Sequence, residues 1–475
     1  TARYTRRGKE VGLRKVTGAS GANIIKQFLF ESFAITLCAF ILALFISLLI
    51  IPAFSSVTGI PLQKESLFYF KTLIKFLPLL ILISLISGSY PAIMLSSVNP
   101  VSAIRDDFKF ARTVSVKSIR KVLIIFQFAV SIVLITCTLI IYSQMAFIRK
   151  KDLGLNPDQV VVLPMYQAEI RSMYELLKKE ILMDPRVLNA TAVCYWSDDQ
   201  TFFQNARWEG LKENSDEMIN WLSADKDFLK TLKIELIKGE DFSSDIANGQ
   251  SQYILNESAL KKIGWEDPIG KSFEILGINR PGKVTGVVKD FNFKTLHYEI
   301  APVAIVFNPE DFDNLLIKIS AKDVTGTLSS IRSKWKSLFP NYPFEYSFMS
   351  DDFQKQYEKE TMTLKIVTYV SIMVLFISCI GLFGLVLFTI ESRMKEIGLR
   401  KVSGSSSGGI VIMLNMEFVK WIIVSFIISC PIIIYFMQKW LANFAFRINI
   451  SWWMFLLAGL ITTALSLVTV SWQTW

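Results

Sequence analysis

Arg7-Gly8-Lys9-Glu10-Val11-Gly12-Leu13-Arg14-Lys15-Val16-Thr17-Gly18-Ala19-Ser20 returns 386 positions later as Arg393-Met394-Lys395-Glu396-Ile397-Gly398-Leu399-Arg400-Lys401-Val402-Ser403-Gly404-Ser405-Ser406. Ten of the fourteen positions are identical, and two others exchange Val for Ile and Thr for Ser. Each copy leads into a long apolar run, and the same offset sets Glu31 against Glu417. Glu10 and Arg14 stand four apart with the acid first, the favourable order for a helical ion pair, and Glu396 and Arg400 repeat it. Gly18 and Gly404 are placed to stop the helix, with Ser20 and Ser406 as caps of the next. The sequence predicts a short basic helix, a sharp turn and a membrane-directed helix, built twice. Arg and Lys beside apolar runs are ordinary topogenic signals. Such charge needs no fixed order, whereas here Glu, Gly, Leu, Val and the turn glycine recur in register. The element therefore reads as a docking site for a cytoplasmic partner.

Working outward, 52% of the 475 residues are hydrophobic and the mean hydropathy is +0.40, which calls for several membrane spans plus a soluble part. The net charge of +10 is a sum of opposites: residues 148–360 hold 27 basic and 33 acidic side chains, the remainder 24 and 8. The positive charge lies beside the apolar runs, which excludes a nucleic-acid reading. Cys38, Cys137, Cys379 and Cys430 sit in apolar runs, so Cys194 has no disulfide partner in the soluble segment. The single histidine, His297, excludes a His-rich metal site and reads as an ordinary polar or core residue.

Charge-free windows predict spans at Phe33–Phe54, Phe76–Ile104, Val122–Ile148, Ile366–Ile390, Trp421–Gln438 and Ile448–Trp475. All but the fifth reach about 20 residues, enough to cross a bilayer as a helix, and the fifth is expected to begin near Ile410. Pro78, Pro91 and Pro431 predict kinks or ends. Six crossings put three basic clusters on one face: Arg3 to Lys15, Arg105 to Lys121, and Arg393 to Lys401. The positive-inside rule makes that face cytoplasmic and residues about 149–363 external. The third and fourth spans continue outward through Tyr142 and Phe147, and from Phe353 and Tyr357, as stalks or interfacial anchors.

In the soluble segment, Gln159 to Leu163 and Val187 to Tyr195 read as strands around a helix from Ile170 to Leu182. Asn314 to Ile319, Val324 to Leu338 and Phe344 to Phe348 repeat that order. Two β-α-β units with helices on one side of a sheet make an α+β lobe. Shorter strands between them, with turns expected at Lys238-Gly239-Glu240-Asp241 and Arg280-Pro281-Gly282-Lys283, suggest an inserted lobe. Asp290-Phe291-Asn292-Phe293 reads as a β-turn with buried aromatics rather than a metal or sugar site.

The pattern Lys-Glu-Ile/Val-Gly-Leu-Arg-Lys-Val-Thr/Ser-Gly resembles the signature of FtsX-like ABC transporter permeases, the group with MacB-type proteins. Leu255-Asn256-Glu257-Ser258-Ala259-Leu260, Asp267-Pro268-Ile269-Gly270-Lys271 and Gly286 to Phe293 resemble the MacB-type periplasmic core domain. The resemblance implies a polytopic α-helical membrane protein with six transmembrane helices here and an extracytoplasmic α+β domain of MacB periplasmic core type. The divisions are a coupling loop at 1–23, two spans and a linker at 24–120, a span and stalk at 121–150, an outer domain at 151–360 and a permease domain at 361–475 with its coupling loop at 392–408. Within 151–360 the porter-like lobe takes about 155–200 and 301–350, and the inserted lobe about 201–300.

The resemblance further implies that the duplicated helix sits on a separate, dimeric cytoplasmic ABC ATPase in the bacterial inner membrane. The coupling interface would comprise Glu10, Gly12, Leu13, Arg14, Lys15, Val16 and Gly18, with Glu396, Gly398, Leu399, Arg400, Lys401, Val402 and Gly404. The glycines would shape the loops, Arg14, Lys15, Arg400 and Lys401 would donate to the ATPase, and Leu13, Val16, Leu399 and Val402 would fill its groove. ATP would be bound by that partner, with no cofactor in this chain. Membrane lipid, a second permease as homo- or heterodimer, and a periplasmic adaptor with an outer-membrane channel are the other implied partners. By internal symmetry, an equivalent span, domain and span is expected before Thr1, giving eight spans and two outer domains.

No Gly-x-x-x-x-Gly-Lys-Ser/Thr phosphate loop is present. Gly381-Leu382-Phe383-Gly384 reads as a helix close-packing site. The outer acids are scattered, and Gln127 is a single amide, so neither an enzyme nor an ion-coupled transporter is supported. The reading is an efflux or export permease that works as a mechanical relay. Its alternative is a membrane signal transmitter that regulates a partner such as a cell-wall hydrolase or sensor.

Overall fold

The computed structural model describes residues 11, 13–15, 17–59, 61, 63, 65, 69–96, 114–194, 203–212, 217–243, 251–278 and 280–474. The chain begins with three long helices, α1 (Gly21–Thr58), α2 (Phe70–Ser96) and α3 (Val114–Lys150). There follow β1 (Val160–Pro164), α4 (Ala168–Ser172), α5 (Tyr174–Leu182), β2 (Val187–Val193), β3 (Phe203–Trp208), β4 (Glu217–Ser223), α6 (Phe228–Leu232) and β5 (Leu236–Gly239). Next come β6 (Ser251–Asn256), α7 (Glu257–Ile263), β7 (Ser272–Ile275), β8 (Arg280–Val288), β9 (Val303–Val306), β10 (Asn314–Ile319), α8 (Val324–Leu338), β11 (Ser347–Phe348) and α9 (Met349–Lys355). The chain closes with α10 (Glu358–Ser392), α11 (Met394–Val402), α12 (Ser407–Leu441) and α13 (Trp452–Thr474). It divides into two units, one of residues 1–142, 362–437 and 450–475, the other of 143–361 and 438–449.

In the first unit, α1, α2, α3, α10, α12 and α13 are the six helices long and apolar enough to cross a membrane among the described residues. The fifth predicted span does start early, at Ser407. Pro52 and Pro431 lie inside α1 and α12, and Pro78 and Pro91 inside α2. Helices in lipid gain little from burying apolar surface against each other, so they pack through small and hydroxyl residues. A Cβ on Gly88 would stand 2.9 Å from Ser32, so glycine lets α2 approach α1 closely. Across α3 and α10, Ser131 meets Ser378 at 3.0 Å and Thr138 meets Ser371 at 3.1 Å. Gln127 donates to the Ile377 carbonyl at 3.2 Å, and a Cβ on Gly381 would strike that amide at 2.9 Å. Of the expected small-residue pair, Gly381 serves the packing, while Gly384 has open space around it. Ser425 and Ser429 on α12 donate to the Ile125 and Ala129 carbonyls of α3.

The second unit has two sheets. The four-stranded one, ordered β11-β1-β10-β2, is antiparallel throughout, and it interleaves the two expected β-α-β units. Strand periodicity turns alternate residues to opposite faces. Val161 opposite Ile317 and Leu163 opposite Leu315 join Leu177, Ile181, Ile331 and Trp335 in one core with α5 and α8. Val160, Val162 and Leu316 enter a second core, shared with the larger sheet. Both helices thus lie on one face, as the sequence predicts. The helix read as Ile170–Leu182 is broken at Met173, and the last strand is only Ser347–Phe348.

The larger sheet is ordered β5-β8-β6-β9-β4-β3-β7, and β7 also pairs with β8, so the strands close into a barrel with β5 outside. Arg280-Pro281-Gly282-Lys283 is not a turn but the start of β8. A Cβ on Gly282 would fall 2.0 Å from the Ser251 carbonyl, so the glycine there permits strand contact rather than a bend. Strand β9, Val303–Val306, lies parallel to β4 in this sheet. Two of the three stretches that resemble the periplasmic core domain, Leu255–Leu260 and Gly286 to Phe293, meet at one joint. Asp290 accepts from Asn256 Nδ2, Ser258 N and Ser258 Oγ at 2.8, 2.9 and 2.7 Å, capping α7, while Phe291 is buried. No group of acids, His or Cys able to hold a metal occurs among the described residues.

Candidate functional site

Among the described residues, the turns that end the two copies are closed by equivalent backbone bonds. In the second, Ser403 N donates to the Leu399 carbonyl at 2.9 Å, Gly404 N to Lys401 at 3.2 Å and Ser405 N to Arg400 at 2.9 Å. In the first, Thr17 N, Gly18 N and Ala19 N make the equivalent bonds to Leu13, Lys15 and Arg14 at 3.0, 3.2 and 2.9 Å. Gly18 has φ +98° and Gly404 φ +90°, the left-handed stop that glycine adopts without strain. Ser20 and Ser406 then cap α1 and α12, accepting from Asn23 N at 3.3 Å and Gly409 N at 3.2 Å.

The charged side chains brace this turn. Arg400 pairs with Glu396 at 2.9 Å across one helical turn, and Arg393 pairs with Glu417 of α12 at 3.0 Å. Arg14 donates to Gln27 Oε1 at 2.7 Å, and Arg400 turns to Met413, the residue equivalent to Gln27. The short basic helix is thereby fixed against the long helix that follows it. Its apolar residues are left outside: Leu13 is 64% exposed, Leu399 69% and Val402 90%. Val11 is the exception, buried with Ile24, Phe28 and Ala92. Gly398 and Lys401 are exposed on α11, and Lys15 is half-buried. Glu10, Gly12 and Val16 lie outside the described residues, as do Arg3 to Lys9, Arg105 to Arg112 and the sequence from Ser97 to Val101. An exposed apolar row beside fixed basic groups is chemically suited to a protein groove rimmed with acids or carbonyls.

Two features of the second unit escaped the sequence. A cleft of about 620 Å³ lies between α5 and the larger sheet, walled by Tyr174, Phe242 and Phe307. Lys178 bridges it to Asp225 and Asp227, each at 2.6 Å, and Asp225 also accepts from Ala192 N at 3.0 Å and, closer in, from Thr191. Its ligands come from three distant stretches, so only the fold assembles them. His297, read as an ordinary polar or core residue, meets a chain segment 146 positions away, at the Asn443 carbonyl.

A bundle of apolar helices, an α+β domain inserted between two of them and a basic helix-glycine-helix loop made twice define a multi-pass membrane protein. Residues 1–100 and 368–475 match the family described as FtsX-like permease C-terminal, one copy of the loop in each stretch. Over these stretches the chain resembles FtsX/MacB-type permeases. It is 29% identical over 174 residues to the macrolide export ATP-binding/permease protein MacB of Aggregatibacter actinomycetemcomitans, covering 34% of this chain and 26% of that one. The same-named protein of Chromobacterium violaceum is 24% identical over 216 residues, covering 42% and 32%. The chain thus spans about a quarter to a third of the length of these curated relatives. Among solved structures, the periplasmic region of MacB from Actinobacillus actinomycetemcomitans aligns with a TM-score of 0.32 at 16% identity, over 44% of this chain and 97% of that one. The extracellular domain of the noncanonic ABC-type transporter YknZ from Gram-positive bacteria aligns with a TM-score of 0.30 at 16% identity, over 40% and 97%.

Proposed function

We propose that this chain is the permease part of an ABC transporter, in which a separate cytoplasmic ATPase, acting as a dimer, drives movement of the outer domain for efflux or export. The observation that carries this reading is the paired loop: two distant stretches make the same turn and hold Leu13 and Leu399 outside. A dimeric ATPase with two like grooves would meet such a pair, and ordinary topogenic charge would need neither the shared turn nor the exposed leucines. The relatives' name, a macrolide export ATP-binding/permease protein, agrees with a nucleotide-driven exporter. ATP would be bound by the partner and the chain itself would carry no cofactor.

The three basic clusters would face the cytoplasm of a bacterial inner membrane, with residues about 149–363 in the periplasm. ATP binding would bring the two ATPase grooves together and shift α11 and its counterpart. The Arg393–Glu417 pair and the Arg400–Met413 contact would pass that shift into α12 as a rigid movement, without a polar path through the bundle. A periplasmic adaptor, an outer-membrane channel and a second permease would complete the assembly. The test replaces Glu396 and Arg400 together by alanine. Co-purification of the ATPase and ATP-linked activity should both fall, and unchanged values for both would remove the coupling role.

A further inference from the structure

His297, the chain's single histidine, has an acceptor at each end of its ring. Nδ1 lies 3.0 Å from the Asn443 carbonyl oxygen, and Nε2 lies 3.3 Å from Glu360 Oε1. A neutral imidazole has one N–H and one lone pair, so it can serve only one of these acceptors. The geometry needs one proton more than a neutral ring and an ionised carboxylate hold between them. That proton sits on the ring or on Glu360 and belongs to the pair. The second carboxylate oxygen, Oε2, is buried with no hydrogen-bond partner, a costly place for an uncompensated negative charge.

The contact joins two distant stretches of the second unit. Asn443 and Phe444 lie in the loop between α12 and α13, and Phe444 stacks on the His297 ring at 4.3 Å. Backbone bonds flank it, Ala445 N to the His297 carbonyl at 3.2 Å and Phe446 N to the Leu296 carbonyl at 3.3 Å. Gln144 holds the loop from the other side, donating to the Phe446 carbonyl and accepting from Ile448 N, both at 2.9 Å.

We propose that His297 and Glu360 share a bound proton, and that this clasp fastens the loop between α12 and α13 to the outer domain in a pH-dependent way. Glu360 and Tyr357 are ionisable groups that face the ring, with Lys359 acting on Glu360 from the adjacent position. The loop side presents the Asn443 carbonyl and Phe444, both uncharged. On the ring's own segment, Lys294 is turned to Phe203, Phe293 and Tyr298. The clasped state binds the proton, so the clasp tightens as pH falls and loosens as pH rises. His297 and Glu360 are positioning residues. Through chain connectivity they tie α12 and α13 to the outer domain, so the proton sets how firmly a movement begun at α11 is transmitted. That consequence rests on the relay proposed above, whereas the clasp does not.

The experiment places spin labels at Glu299→Cys and Arg447→Cys in the full chain, with the five native cysteines replaced, in lipid nanodiscs without any ATPase. Distances are read at about pH 5.5 and about pH 8.5, either side of the imidazole range. A narrow short-distance population at the lower pH should be lost at the higher one. Glu360→Gln offers an amide N–H to the lone pair of a neutral ring, so the short population should persist at both values. His297→Phe should lose it at both. An unchanged distribution in the parent chain, a pH shift surviving in Glu360→Gln, or a short population retained by His297→Phe would each overturn the clasp and leave the ATPase reading untouched.

Discussion

At the scale of single residues, the same lysine chemistry has two outcomes. Lys15 is half-buried and Lys401 is exposed on α11, while Lys178 is drawn between Asp225 and Asp227 and is nearly covered. Exposed pairs such as Arg400–Glu396 contribute at most about 0.5 kcal/mol, so they orient a helix more than they hold it. Removing one partner of a covered pair costs far more, because the remaining charge has lost its compensation. Lys178→Met should therefore lower stability by about 3 kcal/mol, although Thr191 and Ala192 still serve Asp225. Denaturant unfolding followed by tryptophan fluorescence measures it, and a midpoint equal to the parent's would show that the bridge is dispensable. Neither aspartate stands out in the sequence, because an Asp in a helix-preceding turn is ordinary.

At the scale of elements, the helix-glycine-helix loop depends on one backbone conformation. Gly404 and Gly398 both have open space where a Cβ would point, so substitution tests backbone preference alone. Gly404 is left-handed, and alanine there costs about 1 kcal/mol. Gly398 is inside α11, where alanine gains roughly 0.5–1 kcal/mol. Hydrogen exchange over residues 394–406 should accelerate in Gly404→Ala and slow in Gly398→Ala. A matching response in both variants would mean that the turn is held by something other than its glycine. The repeated motif made this element legible, since a cap, a stop and an i,i+4 pair are all local. The helix read across Ile170–Leu182 shows the limit: its apolar spacing persists through Met173, where the backbone nevertheless breaks.

At the scale of the whole molecule, alternating spans and basic clusters demand that both copies of the loop share a side. Single cysteines at Lys15 and Lys401 should be labelled by an impermeant thiol reagent only in inside-out vesicles, and one at Glu299 only in right-side-out vesicles. Labelling of the two loop positions from opposite sides would end the relay. The six apolar helices and the α+β domain were readable because each depends on composition or short periodicity. The closed barrel was not. Arg280-Pro281-Gly282-Lys283 carries every mark of a turn, yet β8 starts there because the Ser251 backbone lies against Gly282.

The sequence by itself determined the duplicated loop, the spans and the two β-α-β units, because capping, hydropathy and alternation act between residues a few positions apart. Only the tertiary structure decided the strand order, the Lys178 bridge and the partners of His297. Those contacts join stretches far apart in the chain. Which side chains meet there depends on how the two sheets and the 438–449 loop close upon one another, and no local pattern of residues encodes that.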